Sequence, residues 1–229
     1  MTTTIAAALR HAATRALDAA LPASCVGCGV EGPTICDRCR PALDARLSRT
    51  GGVPIGLPAE LPEPLLQLEW CAQFRGVVRD ALHAIKYGGE QRLADPLGAA
   101  VARRWAAVGV GADLVTHVPV HPDRARERGY DQADLIARRA ASELALPHGP
   151  LLRRARATIA QFDLDRRDRA RNVRGAFVVD AQQAPTIAGR WILLIDDVVT
   201  TGATLSASAA ALLAEGALGV SAITVARER

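Results

Sequence analysis

The segment Trp191-Ile-Leu-Leu-Ile-Asp-Asp-Val-Val-Thr-Thr-Gly-Ala-Thr204 constrains the fold more than any other part of this chain. Trp191 to Ile195 is an apolar run rich in Ile and Leu. That is the pattern of a short strand buried on both faces of a parallel sheet. Asp196 and Asp197 follow directly, then Thr200, Thr201, Gly202 and Thr204. Beyond them an Ala/Leu-rich run keeps helical spacing to Ala214. Acids and hydroxyls are therefore expected where a buried strand turns into a helix N-terminus. In open α/β sheets, ligands sit outside the carboxyl ends of the strands. A helix N-terminus offers unpaired N–H groups and partial positive charge, which suit a phosphate. Gly202 lets the backbone approach it. Acids suit hydroxyls or a metal-bound sugar, so the combination points to a sugar phosphate.

Two other readings compete. A hydrophobic strand ending in Asp-Asp also resembles the Walker B element of an ATPase. That element needs a glycine-rich loop ending in Gly-Lys-Ser/Thr, and the chain has none. Alternatively Thr200 or Thr204 serves only as a helix cap. Two adjacent acids at a buried strand end are costly without a task.

The second feature is a pair of Cys-x-x-Cys turns, Cys25-Val-Gly-Cys28 and Cys36-Asp-Arg-Cys39, with seven residues between them. Each turn aims two sulfurs at one point, and Gly27 and Gly29 give the first turn its backbone freedom. Four thiolates closing a tetrahedron is the arrangement of structural zinc. Iron–sulfur ligation commonly uses other spacings, and two pairs this close argue against a redox dithiol. A closed four-cysteine site has no open position for catalysis, so the expected role is structural or docking.

The chain has 229 residues, enough for one α/β domain with a small appendage. Hydrophobic residues make up 49% and aromatics 3%, so a core of Ala, Leu, Val and Ile is available. The net charge of +4 leans toward an anionic ligand or nucleic acid. Stacking on single strands needs aromatics beside the basic groups, and few are present. Five cysteines, four of them in the two pairs, fit a bound metal in a reducing compartment better than disulfides. No apolar run approaches the ~20 residues of a membrane span, and the expected location is cytoplasmic.

Four sections are expected. Residues 1–21 hold a helix over 4–20, with Ile5, Leu9, Ala13 and Leu17 on one face. Residues 22–47 form the four-cysteine zinc module. Residues 48–65, rich in Gly and Pro, form a linker. Residues 66–229 form the main domain. Within it, strands are expected at Leu66 to Phe74, from Leu114 toward His121, at Ala176 to Val179 and at Leu218 to Val225. One helix carries Val77, Ala81, Leu82 and Ile85 on its face and ends at Gly88-Gly89 with Lys86 at its C-terminal edge. A second carries Leu93, Leu97, Val101 and Trp105; a third runs through Leu135, Ile136, Arg139 and Leu144. Pro122 to Gly129 is expected to be a loop carrying Arg124, Arg126 and Arg128. His117 and His121 are four apart on a strand broken by Pro119, so they do not form a helical two-histidine metal pair. Leu151 to Arg174 is the most basic stretch, with Arg153, Arg154, Arg156, Arg166, Arg167, Arg169, Arg171 and Arg174.

With these residues in view, Ile-Asp-Asp-Val-Val-Thr-Thr-Gly-Ala-Thr resembles the phosphoribosyl-pyrophosphate (PRPP) motif of type I phosphoribosyltransferases. The double Cys-x-x-Cys ahead of it, Lys86-Tyr87-Gly88, Val118-Pro-Val-His121 and Arg126-Glu-Arg-Gly-Tyr-Asp-Gln-Ala133 are similar to the ComF competence-protein family. Thr158, Gln161, Leu164, Arg167, Asn172 and Gly175 resemble the flexible loop of amidophosphoribosyltransferases and ComF proteins. The resemblance departs at Asp131, where the family usually has asparagine; the acid adds negative charge beside an anion site or caps the next helix.

The resemblance implies a Rossmann-like type I phosphoribosyltransferase fold, α/β, with a parallel central sheet flanked by helices and a small zinc-ribbon-like module before it. It implies that Asp196 and Asp197 bind the ribose hydroxyls. Val198, Val199, Thr200, Thr201, Gly202, Ala203 and Thr204 would hold the 5′-phosphate. Val120, His121, Arg124, Lys86, Arg167 and Arg171 would face the pyrophosphate. Mg²⁺ would accompany PRPP, and structural Zn²⁺ would be bound by Cys25, Cys28, Cys36 and Cys39. The implied activity is pentosyl transfer with an unidentified acceptor, linked to competence and uptake of single-stranded DNA. The other class of function is a non-catalytic accessory that binds PRPP or nucleic acid, with DNA-uptake or helicase proteins as partners.

Overall fold

Alternation along two strands decides the architecture. In β5 (Trp191–Val199), Leu193 and Ile195 face one core, while Ile192 and Leu194 face another. In β6 (Gly219–Arg227), Ile223 and Val225 join the first core, while Val220 and Ala222 join the second. Side chains alternate along a strand, so a strand apolar at every position needs cover on both faces. The structure, a computed structural model, describes residues 23–51, 61–154, 175–180 and 182–228. It provides that cover.

The four-stranded sheet has the order β1-β6-β5-β2, with β1 at Gln67–Gln73 and β2 at Leu114–His117. All three pairings are parallel. This is the mixed α/β fold with a parallel central sheet that the apolar run at Trp191 predicts. Helices α1 (Gly76–Tyr87), α2 (Ala94–Val108) and α4 (Gln132–Leu144) contribute to the first core. Helix α6 (Ala203–Ala214) contributes to the second, with the antiparallel pair β3 (Leu152–Arg154) and β4 (Phe177–Val179). The described residues also form two short α-helices, α3 (Pro122–Arg128) and α5 (Ala184–Ile187). Leu93, Leu97, Val101 and Trp105 are all buried, as their spacing predicts.

Three local expectations are corrected. The strand at Trp191 does not stop at Ile195; it continues in register with β6 to Val199, so both acids lie on the strand itself. Pro122 to Gly129 is mostly helix rather than loop: Pro122 stands at the first turn, His121 caps it, and Gly129 closes it in the left-handed region. The buried face of α1 uses Val78, not Val77, together with Ala81, Leu82 and Ile85. Val77 instead leans on the cysteine turn, where a Cβ on Gly27 would come within 2.7 Å of it.

The expected helix over 4–20 lies outside the described residues, as do residues 52–60 of the expected linker and the arginine-rich stretch from 155 to 174. The cysteine module shares the first core: Cys25, Ile35, Cys39 and Leu43 belong to the same cluster as Leu82 and Leu97. Its C-terminal end is fastened by Arg104 of α2, 1% exposed. Arg104 donates to the carbonyls of Arg46 and Arg49, both at 2.6 Å, and to the carboxylate of Glu69 on β1, also at 2.6 Å.

Candidate functional site

The carboxyl end of β5 brings the acids to the sheet edge. Asp197 is 7% exposed. Its Oδ2 accepts from Lys86 Nζ at 2.9 Å and from Gln132 Nε2 at 2.8 Å. A buried carboxylate is tolerable only with such partners. Asp196 is half-buried, and its Oδ1 accepts the Asp197 amide at 2.8 Å. Burial, reinforced by the charge of Asp197, pushes the Asp196 carboxyl well above the usual carboxylate range. A buried carboxyl shifted in this way beside a second acid is characteristic of working sites.

Past the acids, Val198 and Val199 stay in register with Ala226 and Arg227. The stretch clear of the named strands begins at Thr200. Gly202 caps α6 without any side-chain cap, at φ 82°. Neither Thr200 nor Thr204 caps the helix; the hydroxyl of Thr201 accepts the Ala203 amide, at 3.4 Å. The first amides of α6 are the groups available to an anion. A Cβ at Gly202 would lie 2.6 Å from the Pro62 ring, so the 61–65 segment lies against this turn.

Across from the acids, a cavity of about 380 Å³ is lined by Lys86, Tyr87, Arg124, Arg128 and Tyr130, among others. It unites two residues expected on the pyrophosphate side, Lys86 and Arg124. Lys86 thus links this basic cavity to Asp197. Arg128 adds a second link: it donates to Gln132 Oε1 at 2.8 Å, and Gln132 donates on to Asp197. Tyr130 fixes the end of α1 by donating to the Ile85 carbonyl.

Val120 is held by its amide, which donates to Asp131 Oδ2 at 2.9 Å. The other oxygen of Asp131 caps α4 through the amides of Ala133 and Asp134. The acid that departs from the family pattern therefore accepts three amides and clasps the β2–α3 loop to the start of α4. His121 caps α3, its Nδ1 accepting the Asp123 amide at 3.2 Å. Arg167 and Arg171 lie outside the described residues. Gln132 and Arg154 were not singled out as site residues by sequence reasoning. Arg154 donates to the Pro119 carbonyl at 3.0 Å, and the charge of Asp196 acts on its guanidinium against the effect of burial. Its only sequence signal is membership of the basic stretch.

The four cysteines converge. Their sulfurs lie within 4.8 Å of one another, with Cys28 and Cys36 at 3.6 Å. A tetrahedral ion with ~2.3 Å metal–sulfur bonds separates its sulfurs by about 3.8 Å. The Cys36 amide donates to Cys25 Sγ. A Cβ on Gly27 would lie 2.9 Å from Cys39 Sγ, so only glycine fits that turn. Burial alone would raise the Cys25 thiol, but the amides of Cys36, Gly27 and Cys28 outweigh it and bring it down to about 6. Burial and the neighbouring sulfurs push Cys39 up to about 12. Full ionisation of the four therefore calls for a cation, and the group could hold zinc.

Fold and site together define an α/β protein with a parallel central sheet, a carboxylate pair at its carboxyl edge and a four-cysteine module. Comparison with known proteins bears out the ComF resemblance. The chain is similar to DNA utilization protein YhgH of Escherichia coli K12, 29% identical over 195 residues, 82% of this chain and 81% of that protein. It is likewise 29% identical over 202 residues to the YhgH protein of Salmonella typhi, 81% of this chain and 87% of that one. It is 34% identical over 97 residues to Competence protein F of Haemophilus influenzae, 41% of each chain. No family model matches the chain. Among solved structures it is similar to the glutamine PRPP amidotransferase of B. subtilis complexed with ADP and GMP, with TM-score 0.39 and 22% identity over 57% of this chain. A second, the allosteric regulatory enzyme of purine biosynthesis, gives TM-score 0.40 and 19% identity over 57% of this chain. This chain covers 25% and 26% of those two. Among the described residues no helix is long and apolar enough to cross a membrane.

Proposed function

We propose that this ComF-like chain binds PRPP at the carboxyl end of β5 and serves the uptake and use of DNA as a phosphoribosyltransferase-type protein. The observation that carries the reading is the Asp196–Asp197 pair, on a parallel strand that runs into the uncapped N-terminus of α6 and faces Lys86. Asp196 and Asp197 take the ribose hydroxyls, and the amides from Thr200 into α6 take the 5′-phosphate. Lys86 and Arg124 meet the pyrophosphate from the basic cavity. Mg²⁺ accompanying PRPP would supply positive charge to the leaving pyrophosphate. Loss of pyrophosphate leaves positive charge on the sugar, and the fixed carboxylates offset that charge. The four cysteines hold a structural Zn²⁺, and the protein acts in the cytoplasm.

Calorimetric titration with PRPP and Mg²⁺ tests the site. The wild type should bind, and Asp196→Asn/Asp197→Asn should lose most of that affinity. Equal binding by both proteins would remove the assignment. Pyrophosphate release with nitrogenous bases or single-stranded DNA then separates turnover from binding alone. The accessory reading, polyanion binding without turnover, is favoured by a second cavity of about 510 Å³, bordered by Arg46, Arg49, Arg75 and Arg227.

A further inference from the structure

Three buried atoms outside the acid pair converge on one point. His117 Nδ1 at the end of β2 and His148 Nε2 each lie 3.5 Å from Asp134 Oδ1 on the first turn of α4. Among the described residues, none of the three has a hydrogen-bond partner. The side chains of His117 and His148 are only 6% and 11% exposed. Buried polar atoms are nearly always satisfied, so three orphans facing each other need an explanation. At 3.5 Å they are too far apart for good hydrogen bonds. That distance is close to the edge of a tetrahedron around zinc, about 3.3 Å for nitrogen and oxygen bonds of ~2.0–2.1 Å.

We propose that His117, Asp134 and His148 form a second metal site, distinct from the four cysteines, for a divalent transition ion of the zinc class. The surroundings match such a site. Arg138 Nε binds the other oxygen of Asp134 at 2.7 Å, leaving Oδ1 as a single-point ligand. The far nitrogen of His117, Nε2, faces Asp131 Oδ2 at 3.8 Å. The two rings lie nearly parallel, 19° apart, with centroids 5.8 Å apart, so both nitrogens can address one ion. Two nitrogen donors select against Mg²⁺ and Ca²⁺, which prefer oxygen.

The site has a defined task. It joins the end of β2, the start of α4 and the segment at His148, which bridges Val115 of β2. Asp131, three residues before Asp134, holds the Val120 amide. An ion here would fix the β2–α3 loop from beneath, and so position one wall of the basic cavity. It is a positioning site.

Cobalt(II) titration of the chelator-stripped full chain tests it, because thiolate ligation gives an intense charge-transfer band and nitrogen–oxygen ligation gives only weak d–d bands. The wild type should bind one equivalent that adds no thiolate band. His148→Gln and Asp134→Asn should each weaken that equivalent by about 100-fold or more, while the thiolate-marked equivalent persists. A wild type without the extra equivalent, or one that survives both substitutions, overturns the proposal. Should a variant not fold, anomalous diffraction from cobalt-soaked wild-type crystals decides: a peak within bonding distance of all three atoms is expected, and none at saturation overturns it.

Discussion

Lys86 Nζ lies 2.9 Å from Asp197 Oδ2, and the side chains are only 18% and 10% exposed. The last turn of α1 thus reaches across to the end of β5 and neutralises one acid. Lys86→Met should leave Asp197 with Gln132 as its remaining partner, destabilising the fold by about 1–3 kcal/mol. Urea denaturation followed by circular dichroism checks this. Calorimetry on the same variant should show weakened PRPP binding, since the cation facing the basic cavity is gone. A variant of unchanged stability would show that the pair is incidental.

Asp196 gives a pH dependence whose sign follows from its raised native pKa. In the window between the ordinary aspartate value near 3.8 and the native value, the folded chain binds a proton that the unfolded chain has released. This contribution to stability is full below the lower value and fades as pH rises through the upper one. Asp196→Asn should therefore raise the neutral-pH denaturation midpoint and flatten the decline between mildly acid and neutral pH. Midpoints for wild type and variant across that range are the readout; parallel curves would refute it.

The Arg104–Glu69 pair is a structural charge pair of another kind. Both residues are 1% exposed, and Arg104 also ties down the carbonyls of Arg46 and Arg49. Removing Arg104 takes the nearest partner from a buried charge that Arg46 at 3.7 Å and Gln67 at 3.3 Å hold less tightly, so Arg104→Met should cost about 3–5 kcal/mol. Glu69→Leu/Arg104→Met should recover part of the loss. A double-mutant cycle in urea measures the coupling, and additive losses would show none.

Local pattern made the sheet legible. Trp191 to Ile195 reads as a doubly covered strand because every position is apolar, and the periodicity at Leu93, Leu97, Val101 and Trp105 reads as a helix face. Asp131 was legible as a cap, since Asp before a helical run has one common use. Long-range pairing was not legible. Nothing in Gln132 shows that its amide meets Asp197 sixty-five residues away. His117 draws attention beside His121, yet its neighbour in space is His148. The buried Arg104 looks like one more surface arginine until Glu69 and three peptide carbonyls surround it. The loop expected from Pro122 to Gly129 is mostly helix, because at the first turn of a helix a proline loses nothing.

Cysteine reactivity separates the metal module from the core. Cys71 on β1 is 2% exposed, and burial pushes its thiol up to about 12, so it is protonated and shielded at neutral pH. Thiolates, not thiols, react with alkylating agents. Cys25, Cys28, Cys36 and Cys39 are masked while a metal holds them and become accessible once it leaves, because ion binding supplies much of the folding free energy of so small a module. Iodoacetamide should therefore label few sites in the metal-loaded protein. After chelator treatment without denaturant it should label those four and spare Cys71, and zinc added before the reagent should restore protection. Peptide mass mapping reads the sites directly. Labelling of all five together after chelation would mean that the module and the sheet unfold as one unit, as their shared core permits.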